Sequence, residues 1–141
     1  VSMPIAASAD GPVQDAVLAL LRADTELMAL VTVVADWVKE KQPYPYVKTG
    51  ESVETRDNTH DSHGSSTVIT LHVWSQYRGY SQARAIASRL RALLEHRPLT
   101  IVGHRHVATY FVSQQTLTDP EPPGDIRHIP ISFRVLTEVQ A

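Results

Sequence analysis

The sequence predicts an α+β fold: a mostly antiparallel sheet of about five to six strands with two main helices packed on one face. Three observations carry this. From Thr67 to Ser75 the residues alternate strictly, with Ile69, Leu71 and Val73 pointing one way and Val68, Thr70, His72 and Trp74 the other. After the "QYRGY" hinge, Ala83, Ile86, Ala87, Leu90, Leu93 and Leu94 fall on one helical stripe, with Arg84, Ser88, Arg91 and Glu95 opposite. Near the end, Ile129, Ile131, Phe133 and Val135 alternate again. The aliphatic strand face and the helical stripe are expected to meet, and the scaffold core is expected to comprise Ile69, Leu71, Val73, Trp74, Ile86, Leu90, Leu93, Leu94 and Phe133.

With 141 residues, the chain is expected to hold a single domain over 12–141 after a flexible segment 1–11. Pro12 suits a first helical turn, and Val13, Val17, Leu20 and Leu21 recur at helical spacing. Asp24 reads as a fresh N-cap for a short helix over Thr25–Leu30. "VTVVADWV" reads as a strand ending near Val38, Pro43 and Pro45 mark a turn, and "YVKTG" a return strand. The stretch "ESVETRDNTHDSHGSS", Glu51 to Ser66, is almost free of apolar residues and predicts a long mobile loop.

Ser81 is placed to cap the second main helix, and Pro98 to stop its continuation. "LTIVGHRHVATYFVSQQ" predicts a hairpin turning at Gly103 and His104, and "TDPEPPGD" a Pro-rich acidic loop. Pro130 interrupts the last strand and suggests an edge position or a bulge.

The composition is ordinary for a globular domain, 43% apolar and 20% charged. A formal net charge of −2 gives no attraction to nucleic acid or to an anionic membrane. No cysteine is present, which excludes disulfides and thiolate metal sites. No apolar run approaches the roughly 20 residues that span a bilayer. "VSMPIAASADGP" lacks the charged and apolar regions of a signal peptide, so a soluble intracellular domain is expected.

Seven histidines raise a metal reading. His60 and His63 lie near Asp57 and Asp61, and His104 and His106 form a second pair. Without a helix to rigidify them, the first group reads better as a solvated loop, and the second pair as exposed residues near a turn. No metal or other cofactor is therefore expected. His72 shares a face with Trp74 and is read as a half-buried packing residue; Trp37 and Trp74 are read as core anchors.

There is no GxSxG elbow and no glycine-rich phosphate loop among only six glycines, so catalysis is not expected. Arg84, Arg89 and Arg91 are interleaved with Glu95 and lack aromatic partners, which favours a solvated helix face over nucleic-acid contact. From the residues alone the reading is a soluble α+β interaction domain, its two polar loops suited to contacts with copies of itself or with neighbours.

"HVWS" (His72 to Ser75), the Gly79 hinge, the helix from Ala83 to Leu94, "YPYV" (Tyr44 to Val47) and "LLRADTELMALV" (Leu20 to Val31) appear in an order that spans most of the chain. In this the sequence resembles the small tail-completion, or tail-terminator, proteins of long-tailed phages and gene transfer agents. The resemblance implies a structural virion protein assembled in the host cytoplasm, forming a ring, typically of six, at the head-proximal end of the tail tube. There it would stop polymerisation and join the tail to the head connector, with DNA passing through its lumen. The implied partners are copies of itself, the tail tube protein and the connector or stopper; neither membrane nor sequence-specific nucleic acid is among them.

The candidate contact residues are Arg56, Asp57, His60, Asp61 and His63 in the first polar loop, and Asp119, Glu121 and Asp125 in the second. The first loop is more His-rich and longer than the family pattern. The competing readings are a head-side adaptor or stopper, a small metal-dependent enzyme and a generic regulatory binding module.

Overall fold

The computed structural model describes residues 5–59, 62–118 and 126–140. Its elements are α1 (Asp10–Ala23), α2 (Thr25–Leu30), β1 (Val34–Ala35), β2 (Tyr46–Arg56), β3 (Gly64–Ser75), α3 (Ser81–Leu94), β4 (His104–Gln114), β5 (Leu117–Thr118) and β6 (Arg127–Val139). The strands form one sheet in the order β1-β2-β3-β6-β4, with β5 also on β6, and the helices pack on one face. Every pairing is antiparallel except β1 with β2. This is the expected α+β architecture.

The spine is β3 against β6, in unbroken register from Gly64↔Glu138 to Ser75↔Arg127. Alternation along both strands puts Ile69, Leu71, Val73, Ile129, Ile131, Phe133 and Val135 on the helix side, all buried. Ala83, Ile86, Ala87, Leu90 and Leu94 of α3 close over them, joined by Val13, Val17, Leu18 and Leu21 of α1; Leu93 is only partly buried at the margin.

Asp24 caps α2, its Oδ2 accepting from the Leu27 N–H at 2.8 Å. The same carboxylate receives a bidentate contact from Arg89 of α3 at 2.7 and 2.9 Å, and Arg89 also reaches Glu26 at 3.1 Å. Arg89 thus holds helix to helix and is not a free basic residue. The guanidinium, then the Leu27 N–H, hold the Asp24 carboxyl below its ordinary range.

Several expectations are corrected. Glu51–Ser66 is not a long loop: β2 continues to Arg56 and β3 begins at Gly64. The pair stays in register to Arg56↔Ser65, leaving 57–63 as the connection. This hairpin is stabilised by its ladder and by β6 behind it, so polar outward side chains cost it little.

The first strand shrinks to Val34–Ala35 and runs parallel to β2, because residues 36–45 carry the chain back to the end from which it came. Of the expected hairpin at Gly103, the first arm reduces to an isolated Ile101↔His104 bridge around Gly103, whose φ of +75° suits glycine. Ser81 is the first helical residue; Tyr80 takes the N-cap position without a side-chain cap. Trp37 is no core anchor but 74% exposed, and Trp74 lies half-buried on the face away from the helices.

Pro130 sits in a central strand, not at an edge. Its carbonyl accepts from the Gln115 N–H at 3.1 Å, so its donorless nitrogen faces the gap between β4 and β5, where the ladder is already interrupted.

Leu90→Ala removes a fully buried side chain between α3 and the sheet and is expected to cost roughly 2–5 kcal/mol of unfolding free energy in urea titration. A loss below about 0.5 kcal/mol would contradict the packing described.

Candidate functional site

The sheet's second face carries no helix. Across its end nearest β5, register pairing lines up Tyr46, Trp74, His128 and Leu117 on four neighbouring strands. Trp74 and His128 stack nearly parallel, 5° apart with centroids at 3.9 Å, and Tyr44 tilts against Tyr46 at 5.4 Å. One step along, His72 sits opposite Pro130 on one side and Lys48 on the other.

Here β2 carries a bulge: Thr49 pairs with Leu71 and Ser52 with Ile69, so Gly50 and Glu51 crowd the single position of Thr70. The bulge turns the Glu51 carboxylate to His72 Nε2 at 3.2 Å. Gly50 permits the approach, since a Cβ there would lie 2.3 Å from His72 Nε2.

A carboxylate only accepts, so His72 Nε2 carries the hydrogen and Nδ1 accepts from His128 Nε2–H at 2.5 Å. The result is a chain Glu51–His72–His128, with Trp74 under its far ring. Burial first, then the facing His72, push His128 down to about 4, against the pull of Glu51. The Glu51 carboxyl is itself held low, first by its own backbone N–H and then by His72. Further along the face, Arg134 Nη1–H donates to Ser66 Oγ at 2.9 Å, and Arg105 pairs with Glu138 at 2.8 Å.

The joint between β3 and α3 is built to be stiff. Buried Ser75 donates to Gln82 Oε1 at 2.5 Å. The Tyr80 hydroxyl bonds Thr118 Oγ1, while Arg84 and Arg127 lie over its ring at 5.2 and 5.4 Å. These contacts tie the hinge to β5.

Of the two histidine pairs, His104 and His106 are committed to local partners, while His60 of the other pair lies outside the described residues. His104 is buried, not exposed at a turn: Nδ1 meets the Val102 carbonyl at 3.0 Å and Nε2 the Ala7 carbonyl at 3.4 Å. His106 Nδ1 accepts from the Leu99 N–H at 3.3 Å and its Nε2–H donates to Thr109 Oγ1 at 2.7 Å. Each ring is occupied by its own partners, and among the described residues no three His, Asp or Glu side chains are placed to hold a metal ion.

Of the candidate contact residues, Arg56 and Asp57 are exposed where β2 ends and His63 is half-buried just before β3. Arg56, His63 and Gly64 line a shallow hollow of about 530 Å³ with Ala6–Ser8. His60, Asp61, Asp119, Glu121 and Asp125 lie outside the described residues. Glu51 and His128 were not singled out in the sequence. Placing Glu51 needed the bulge; His128 could have been placed by extending the β6 alternation back past Ile129.

The described residues form a two-layer α+β domain built on one sheet, an architecture shared by many functions, and its class comes from likeness to known proteins. The profile of the family described as "Tail completion protein gp17" matches residues 15–138, and the chain belongs to that family, whose members are structural components of the virion tail. The tail completion protein gp17 of Bacillus phage SPP1 is 32% identical over 123 residues, 86% of this chain and 88% of that protein.

Among solved structures, a chain from the virion of a native gene transfer agent particle superposes with a TM-score of 0.84 at 27% identity, covering 94% of this chain and 99% of that one. The structure of the SPP1 gp17 protein superposes with a TM-score of 0.62 at 28% identity, over 89% and 88% of the two chains.

The low affinity of His128 for a proton has a consequence for stability. The unfolded chain takes up that proton near the ordinary value of about 6.5, the folded one only near 4. The contribution is complete above about pH 6.5 and is lost as pH falls from there through 4. His128→Gln is expected to flatten the fall of melting temperature over that interval, measured by circular dichroism. An unchanged slope would assign it to other groups.

Proposed function

We propose that the chain closes into a ring, of six copies, on the end of a completed tail tube, ends tube polymerisation there and offers its other face to the head-side connector. The observation that carries this reading is the likeness, over almost the whole chain, to a component of an assembled gene transfer agent virion. Capping needs no chemistry: a ring whose one face fits the growing end of the tube, and whose other face does not repeat it, stops growth. Repeated weak contacts around the ring add through avidity.

The fold suits that task. The β3–α3 joint is scaffold, and among the described residues the surfaces open to partners are the ends of β2 and β3 and the bare sheet face with its aromatic row. We assign Arg56, Asp57 and His63 to a contact with tube or connector, on the strength of their place at one end of the sheet. The role is structural, and no enzymatic step is assigned.

Electron microscopy of particles made without this chain tests the reading. Overlong tubes, or filled heads lacking tails, are the expected outcome; normal tailed particles would sink it.

A further inference from the structure

The two sheet edges carry surfaces of opposite shape. Next to β1, at one end of the strand order, Trp37 stands 74% exposed between exposed Asp36 and half-buried Val38. It is not on a loose tether. The Thr32 N–H donates to the Pro45 carbonyl at 2.8 Å and Thr32 Oγ1 to the Pro43 carbonyl at 2.7 Å; the Gln42 N–H closes a turn onto Lys39 O at 3.1 Å. These bonds hold the base of the segment carrying the indole, so little order remains to be gained on contact.

Beside β4, at the other end of the strand order, the chain leaving α3 lies along the outer edge, with the His96 N–H bonded to the Thr109 carbonyl at 2.9 Å. Between them runs a groove of about 400 Å³ lined by His96, Arg97, Pro98, His106 and Val107. That is within the range of about 300–1,000 Å³ that accepts small ligands, and leaves room for an indole.

The chemistry of the two surfaces is complementary. Arg97 and Asp36 are both exposed, and neither forms any of the ion pairs found among the described residues. A guanidinium favours the face of an indole, and Asp36 beside Trp37 supplies its counter-charge. The groove wall is fixed by the end of α3, where His96 takes the left-handed conformation (φ +56°) just past the Glu95 C-cap and the Arg97 N–H bonds the Leu94 carbonyl at 3.3 Å.

The two edges are four strand spacings of about 4.8 Å apart, roughly 19 Å. A copy therefore presents the indole on the side opposite its own groove, which is the arrangement a head-to-tail contact requires. We infer that Trp37 of one copy seats in the His96–Arg97–Pro98 groove of the next, forming the contact between neighbouring copies; this rests on the ring reading above and names its interface.

The absence of cysteine makes a clean test. Trp37→Cys and Val107→Cys single variants are mixed, assembled into particles and oxidised, with wild-type particles as control. The inference predicts disulfide dimers containing one chain of each variant and no dimers from either variant alone; a double variant should give a ladder of multiples of the chain. Oligomers that assemble without the mixed dimer would overturn this contact and leave the ring standing. A chain that is monomeric both free and in particles would overturn contact and ring together. As a second reading, Trp37→Ala, whose melting temperature should match wild type because the residue is exposed, is expected to weaken self-association at least about tenfold in sedimentation. Unchanged association would also overturn the contact.

Discussion

The unbroken pairing of β3 with β6 is the constraint on which the rest depends. A strand's side chains alternate with a period of two, so a slip of β3 by one residue would move His72 and Trp74 under the helices and expel Leu71 and Val73. The aliphatic stripes of α1 and α3 make that slip costly, and α3 in turn is positioned by the short joint from Ser75 to Ser81. The neighbouring strands take up the misfit: β2 bulges at Gly50 and Glu51, and β4 shifts register at Ala108 and again at Ser113. Bulges on the flanking strands, with none on the spine, let the sheet twist while its centre keeps one register.

What the sequence made legible follows from that hierarchy. Where a face is buried, its periodicity is enforced, and β3, α3 and β6 could be read from the chain with their core residues. The Asp24 cap was equally plain, because a capping side chain acts within its own few residues. Where structure depends on a partner distant in sequence, the local text was silent. "ESVETR" has the alternation of a strand, but without an apolar face it looked like loop until β3 and β6 supplied its ladder. Hydrophobicity alone places Trp37 in the core, which ignores that large apolar residues also mark contact surfaces. Pro130 reads locally as a sign of an edge or a bulge, because the rule asks only which donor is missing. The structure answers with a gap on the neighbouring strand, where no donor is needed.

The histidines show how residue type misleads when surroundings are unknown. Grouped by spacing they suggested ligands; in the fold, four of them are committed to local structure. His104 joins the N-terminal segment to the turn at Gly103, His106 fastens the chain after α3 to β4, and His72 and His128 link β2 and β6 across β3. The last pair lies on the bare face beside the half-buried Tyr46 and Trp74, so it stabilises a region that a partner can cover without rearranging the core.

Association of this sheet with other copies must also be limited. A sheet with open edges can add strands without end. Both edges are blunted. β1 offers two residues, and the chain after α3 runs beside β4, taking the Thr109 carbonyl and bridging Ile101 to His104. Farther along, the second β4 bulge and the break opposite Pro130 interrupt what edge remains. With strand addition disfavoured on both sides, the proposed ring would rest on side-chain surfaces, whose fit would fix the rotation from one copy to the next. A fixed rotation is what distinguishes a closed ring from an open fibre. The features that disturb the regular sheet at its margins are thus the ones that guard it against strand addition.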